Sequence, residues 1–152
     1  MICFVRVDNR LIHGQVVQAW LPEIKTDKVL VISAQAAQNT LMTKMMRMAL
    51  PQNYALEVAQ AKAAGEALKK DEAKKVFVLV EDLKQLSELA EQGITFGKVN
   101  IGNTKYEEGK KEFCTGVYFD EYDLKIISNL KKQNITFSMQ ALPSSLEAKI
   151  DA

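Results

Sequence analysis

The sequence predicts an α/β domain: a three-layer α/β/α sandwich around a mostly parallel, open, twisted sheet. Three observations predict it. Short runs of strand formers alternate with stretches whose apolar residues recur at helical spacing. One run, Val76 to Val80, is apolar at every position, as in a strand covered on both faces. And 152 residues without linker, repeat or low-complexity stretch make one domain, residues 1–152, long enough to bury a real core.

The elements follow in order. Ile2 to Val7 is dense in strand formers. After a polar turn, Val16, Val17, Trp20, Leu21 and Ile24 recur as on one helix face. Val29 to Ile32 is the second strand. Leu41, Met42, Met45, Met46 and Ala49 make a helical stripe that Pro51 ends. Such a stripe could be an adaptable binding surface, but core filling by methionine is the preferred reading. Tyr54 to Val58 alternates as a strand. Ala61, Ala64 and Leu68 mark a small-residue helix, with Gly65 its weak point. Val76 to Val80 is the fourth strand. Leu83, Leu86, Leu89 and Ala90 give a helix stopped near Gly93. Val99 to Ile101 is a short strand, Gly102 to Lys111 a polar surface loop, and Phe113 to Phe119 one further strand. Leu124, Ile127 and Leu130 mark the last helix, and Ile135 to Ala141 the last strand.

Composition excludes several classes. Twenty Lys and Arg against nineteen Asp and Glu leave a net charge of +1, so no global attraction to nucleic acid is expected. Cys3 and Cys114 have no metal-ligand neighbours at zinc-like spacing. They read as small buried residues of a reducing compartment, and no metal is expected. Arg6 and Asp8 interrupt the N-terminal apolar run, against a signal peptide. No apolar run approaches the roughly 18–20 residues that cross a bilayer. The expected location is cytoplasmic.

In open α/β sheets ligands bind beyond the carboxyl ends of strands. The first such junction, Arg6 to Gln15, holds two arginines, Asp8, Asn9, Gly14 and the sole histidine, His13. A helix start has unpaired N–H groups and partial positive charge, which suits an anion. Gly14 would let a bound group approach the backbone. Arginine is unfavourable at a helix start unless an anion lies between guanidinium and helix, where its planar fork matches phosphate. The stretch lacks a phosphate-binding Gly-Lys-Ser/Thr signature and a paired-aspartate metal site, so a nucleotide with magnesium is not the expected ligand. A histidine at a phosphate site can attack phosphorus itself. The plainer alternatives are a capping or surface histidine, an Arg6–Asp8 pair across the sheet end, and a solvated Arg10.

The run from Val5 to Val17, VRVDNRLIHGQVV, resembles the active-site segment of the IIB component of the mannose/fructose/sorbose family. That family belongs to the bacterial phosphoenolpyruvate-dependent sugar phosphotransferase system (PTS). The likeness extends to Ala49-Leu50-Pro51, to Val99-Asn100-Ile101-Gly102 and to the closing strand with Pro143, essentially the whole chain. Two positions depart from the family pattern: Asn9 stands where aspartate is common, and Gly102-Asn103 where a Gly-Gly pair is frequent.

The resemblance implies a phosphoryl carrier, a protein-N(pi)-phosphohistidine–sugar phosphotransferase subunit. His13 would take the group from the phosphohistidine of a IIA partner, on Nδ1 as in related IIB proteins. It would pass the group to a sugar moved by the membrane components IIC and IID. Arg10 would bind phosphate oxygens, with backbone N–H groups near Gly14 and Gln15 completing the cradle. Arg6 and Asp8 would shape the loop and orient His13, unless Asp8 is only a turn or cap residue. No metal or organic cofactor is needed, because the P–N bond is already activated. The chain would then be cytoplasmic and peripherally associated with its membrane transporter. IIA would dock around His13, with Trp20 or nearby methionines as candidate contacts. A homodimer and the identity of the sugar are left open. The alternatives are a regulatory phosphoprotein with the same chemistry, a phosphatase with a phosphohistidine intermediate, and a non-catalytic binding module.

Overall fold

The computed structural model describes residues 1–70 and 72–150. Its main sheet has seven strands in the order β3-β2-β4-β1-β5-β8-β9. These are β1 Ile2–Asp8, β2 Lys28–Ile32, β3 Ala55–Ala59, β4 Val76–Val80, β5 Lys98–Asn103, β8 Thr136–Met139 and β9 Ala148–Lys149. All neighbours pair in parallel except β9, which runs antiparallel to β8. β6 (Lys111–Cys114) and β7 (Val117–Phe119) form a separate antiparallel hairpin.

Helices cover both faces, as the alternation predicts. On one face α4 (Ala61–Lys70), α5 (Leu83–Glu91) and α6 (Glu121–Lys131) pack on Val5, Val7, Leu30, Ile32, Val78 and Val80. On the other lie a π-helical segment Val16–Trp20 running into α1 (Leu21–Glu23), then α2 (Ala34–Ala37) and α3 (Thr40–Ala49). These pack on Val29, Val31, Phe77 and Leu79. Every residue of β4 is buried, because that strand has a helix layer above and below it. Asn39, Asp82 and Asp120 cap α3, α5 and α6 through their side chains.

Several sequence expectations are corrected. Phe113 to Phe119 is not one strand. Gly116, at φ 79°, turns it into the β6–β7 hairpin. The chain adds β9 after the expected last strand. The stripe on α3 fills the core only in part: Met46 is buried and Met42 packs against the core, but Leu41 and Met45 stand exposed. A four-residue helix, α2, already covers part of that face, so α3 needs only its inner residues as core. Cys3 is exposed and Cys114 half-buried, so neither is a fully buried core residue. Cys3 lies near the start of β1, before both helix layers close over the strand. Trp20, a candidate docking contact, is buried in the core.

The topology also marks a place. From β1 the chain leaves toward β2, and from its neighbour β5 it leaves toward β8, on the opposite side. The crevice beyond the carboxyl ends of β1 and β5 is therefore a topological switch point, where open α/β sheets bind ligands. No helix among the described residues is long and apolar enough to cross a membrane.

Candidate active site

Strand alternation sorts β1. Val5 and Val7 enter the core under α4–α6, while Arg6 and Asp8 point to the other face, where the Arg6 guanidinium carbon lies 4.5 Å from the centre of the Trp20 ring. Beyond Asp8 the chain turns sharply. The Leu11 N–H donates to the Asp8 carbonyl at 3.1 Å. Leu11 takes φ 62°, a left-handed conformation that costs a bulky residue about 1–3 kcal/mol. Buried Leu11 and Ile12 anchor the turn, so packing holds this conformation in place. Helical structure begins at residue 14.

Asp8 is the hub. It has no exposed surface. Its Oδ1 accepts from the Arg10 backbone N–H and Nε, both at 3.0 Å, and its Oδ2 from Arg10 Nη2 at 2.9 Å. This is the bidentate fork expected of Arg with a carboxylate. Arg6 Nη2 lies 3.6 Å from Oδ2, and His13 Nε2 lies 3.8 Å from it. Two guanidiniums thus share one carboxylate, which leaves a surplus positive charge at the switch point.

Arg6 is fully buried. Its Nη1 donates to Asn100 Oδ1 and to the Gln140 carbonyl at 2.9 Å, and its Nη2 to the Ala141 carbonyl at 3.1 Å. Burial pushes its pKa down to about 10, with Asp8 opposing the shift. Gly102 makes room for it: a Cβ there would stand 1.9 Å from Arg6 Nη2.

The His13 side chain is 19% exposed. Its Nδ1 lies 2.8 Å from the Leu11 carbonyl, while its Nε2 is buried without a hydrogen-bond partner. An acceptor therefore faces each nitrogen, and a neutral ring can donate to only one. Just beyond, the first bond of the new helix runs from Val17 N–H to His13 O. No acceptor is found among the described residues for the N–H groups of Gly14, Gln15 and Val16. Gln15 Oε1 accepts from Arg10 Nη2 at 3.3 Å. A Cβ on Gly14 would meet nothing within 4 Å, so the packing around Gly14 does not demand glycine there.

The six sequence-derived candidates lie along one continuous segment: Arg6 and Asp8 at the end of β1, Arg10 and His13 in the turn, and Gly14 and Gln15 at the start of the helical stretch. Sequence reasoning did not assign Asn100, Gln140 or Trp20 to the site, yet they hold Arg6 from other elements. A polar Asn100 between Val99 and Ile101 was the one signal available. Among the described residues no three His, Cys, Asp or Glu side chains gather as metal ligands. A second cleft of about 480 Å³ opens between α5 and α6, lined in part by Glu81, Asp82, Lys110 and Asp120. It touches the turn only through Asn9 and does not include His13.

The sequence model of the PTS system sorbose subfamily IIB component matches residues 2–152. The chain belongs to this family. Sorbose-subfamily IIB components are phosphoryl carriers of sugar phosphotransferase systems. The chain is 27% identical to the sorbose-specific EIIB component of Lacticaseibacillus casei, over 99% of its own length and 96% of the relative's. It is 25% identical to the mannose-specific EIIAB component of Escherichia coli K12, over 99% of this chain and 47% of that longer protein. The crystal structure of the N-acetylgalactosamine-specific IIB component 1 from Escherichia coli superposes with a TM-score of 0.93. It is 26% identical, and the match covers 99% of this chain and 100% of that one. The IIB chain is thus a mostly parallel α/β protein like its solved relatives.

Proposed function

We propose that this IIB component carries a phosphoryl group on His13, taken from a phosphorylated IIA protein and given to a sugar moved by membrane components IIC and IID. One observation carries the proposal. The sole histidine stands at the switch point, at the mouth of a helix with three unpaired N–H groups, beside an arginine that a buried carboxylate holds in place. The EIIAB relative, in which IIA and IIB are one chain, supports IIA as the donor.

The His13 ring first turns away from the Leu11 carbonyl, which frees Nδ1. Facing the Leu11 carbonyl, Nδ1 is the donor of a neutral ring; as the ring turns away Nδ1 gives up that proton and Nε2, facing Asp8, takes one, so the lone pair is on Nδ1. That lone pair attacks phosphorus on the IIA phosphohistidine; the N–P bond to IIA breaks as the new one forms. Arg10 Nη1, which has no hydrogen-bond partner among the described residues, reaches the phosphoryl oxygens together with the N–H groups of Gly14 and Gln15. The open space at Gly14 admits the group. In the second half a sugar hydroxyl attacks phosphorus, the bond to Nδ1 breaks, and the hydroxyl proton is released. Asp8 keeps the net charge of the cradle to one, so the group is held without being trapped.

The test mixes the protein with phosphoenolpyruvate, the general transfer proteins and its IIA, then locates the phosphate. Acid-labile phosphate on His13 is expected, and none on a folded His13→Ala variant. A variant that still takes up acid-labile phosphate would remove His13 from the mechanism.

A further inference from the structure

Strand register reveals a row of side chains across the sheet. Val58 pairs with Val31, Val31 with Leu79, Leu79 with Arg6, Arg6 with Asn100, and Asn100 with Ser138. The row is apolar over three strands and polar over the next three. The polar half is as buried as the apolar half: Arg6 is 0% exposed, Asn100 1% and Ser138 4%. Apolar residues would normally fill such positions in a parallel sheet. Replacing a buried ionic group by well-packed apolar side chains is often neutral or stabilising, so stability alone does not explain the row.

Its geometry explains it better. Asn100 Oδ1 accepts from Arg6 Nη1, while Asn100 Nδ2 donates to Gln140 Oε1 at 3.0 Å and to Ser138 Oγ at 3.4 Å. Gln140 Nε2 is tied in turn to the carbonyls of Pro143 and Ser145. The Ala141 carbonyl accepts from both Arg6 Nη2 and Trp20 Nε1, at 3.1 and 3.0 Å. Held by Asn100, by two carbonyls and by the Trp20 ring, the Arg6 guanidinium has one position, and that position sets Asp8 between Arg6 and Arg10.

We infer that Asn100, supported by Gln140, is a positioning residue for phosphoryl transfer: it fixes Arg6, which fixes Asp8, which aims Arg10 and the His13 ring. The inference rests on His13 being the phosphoryl acceptor. Asn100 is buried beneath the surface and cannot touch the donor protein. Its loss therefore acts on the rate of transfer and not on recognition of the partner.

The experiment compares wild type, Asn100→Ala and Gln140→Ala, the last a milder change because Gln140 is half-buried. Three readouts are taken: single-turnover phosphoryl uptake from phosphorylated IIA, urea unfolding, and ¹⁵N chemical shifts of the His13 ring. The expected result for folded Asn100→Ala is a maximal rate lowered about tenfold, since small misplacements at a reacting centre cost that much or more. The half-saturating concentration of phosphorylated IIA stays unchanged, and the His13 ring shifts move. A folded Asn100→Ala with wild-type rate and wild-type ring shifts overturns the inference. So does a loss confined to the half-saturating concentration. If Asn100→Ala does not fold, Gln140→Ala decides by the same two signs. Wild-type protein that takes up no phosphate on His13 is a different outcome: it overturns the carrier reading itself, while the ring shifts still report whether Asn100 positions His13.

Discussion

At the scale of single residues the site depends on a buried carboxylate that two guanidiniums and the His13 ring approach. Arg10 spends its Nε and Nη2 on Asp8, so it is held in place before any ligand arrives. Arg10→Ala, which from the sequence looks like a pure loss of phosphate binding, also strips Asp8 of its fork and would lower stability as well as rate. Arg10→Lys is the cleaner test, because it keeps the charge and loses the planar fork. Transfer is expected to slow about tenfold, the scale of one charge-assisted hydrogen bond, with a smaller loss of stability than in Arg10→Ala because a cation still faces Asp8. Equal transfer rates for Lys and Arg would refute a role in transfer for the fork that Asp8 holds. Gly102 is constrained by volume, not by backbone conformation. Gly102→Ala drives a Cβ into the Arg6 guanidinium, at an expected cost of about 1–3 kcal/mol in urea unfolding. A variant as stable as wild type would show that Arg6 has another place to go.

At the scale of elements, α6 offers the sharpest prediction. Asp120 and Asp123 form a capping box at its start. Asp120→Ala is expected to cost about 1 kcal/mol. Hydrogen bonds from the Asp123 backbone hold the Asp120 carboxyl below the usual carboxylate range. A depressed acid contributes stability that is present above its unfolded pKa and fades as the pH falls through its folded pKa. Burial pushes the Asp123 carboxyl upward, so its ionisation acts in the opposite sense. The melting-temperature gap between wild type and Asp120→Ala should therefore narrow in acid below the carboxylate range; a gap that widens there would contradict the cap's ionic character. In α3 the helical period is real, but period alone does not say which side is covered. Leu41 and Met45 share the apolar stripe of the sequence and yet face outward, because burial depends on which neighbours lie above.

At the scale of the whole molecule, stability should be graded from the centre of the sheet outward. β4 and β1 are paired on both sides and covered by both helix layers, whereas β9 is a two-residue strand with both residues exposed. Backbone hydrogen exchange is expected to be slowest in β4 and β1 and fast in β9. Uniform protection across the sheet would sink that picture. Most of the architecture was legible beforehand, since apolar period and turn residues are local properties and each strand or helix must bury a face. The cluster from Arg6 to Gln15 was legible for a similar reason: its chemistry is contiguous in the chain. The partners of that cluster were not. Asn100, Gln140 and Trp20 reach Arg6 only through the strand order β1-β5-β8 and the helix lying over it, and no local pattern encodes which strands become neighbours. So the chain alone specified most of the elements and the loaded segment from Arg6 to Gln15, by period and by composition. Tertiary packing chose what surrounds that turn, because contacts between residues 6, 100 and 140 exist only once distant segments share a sheet.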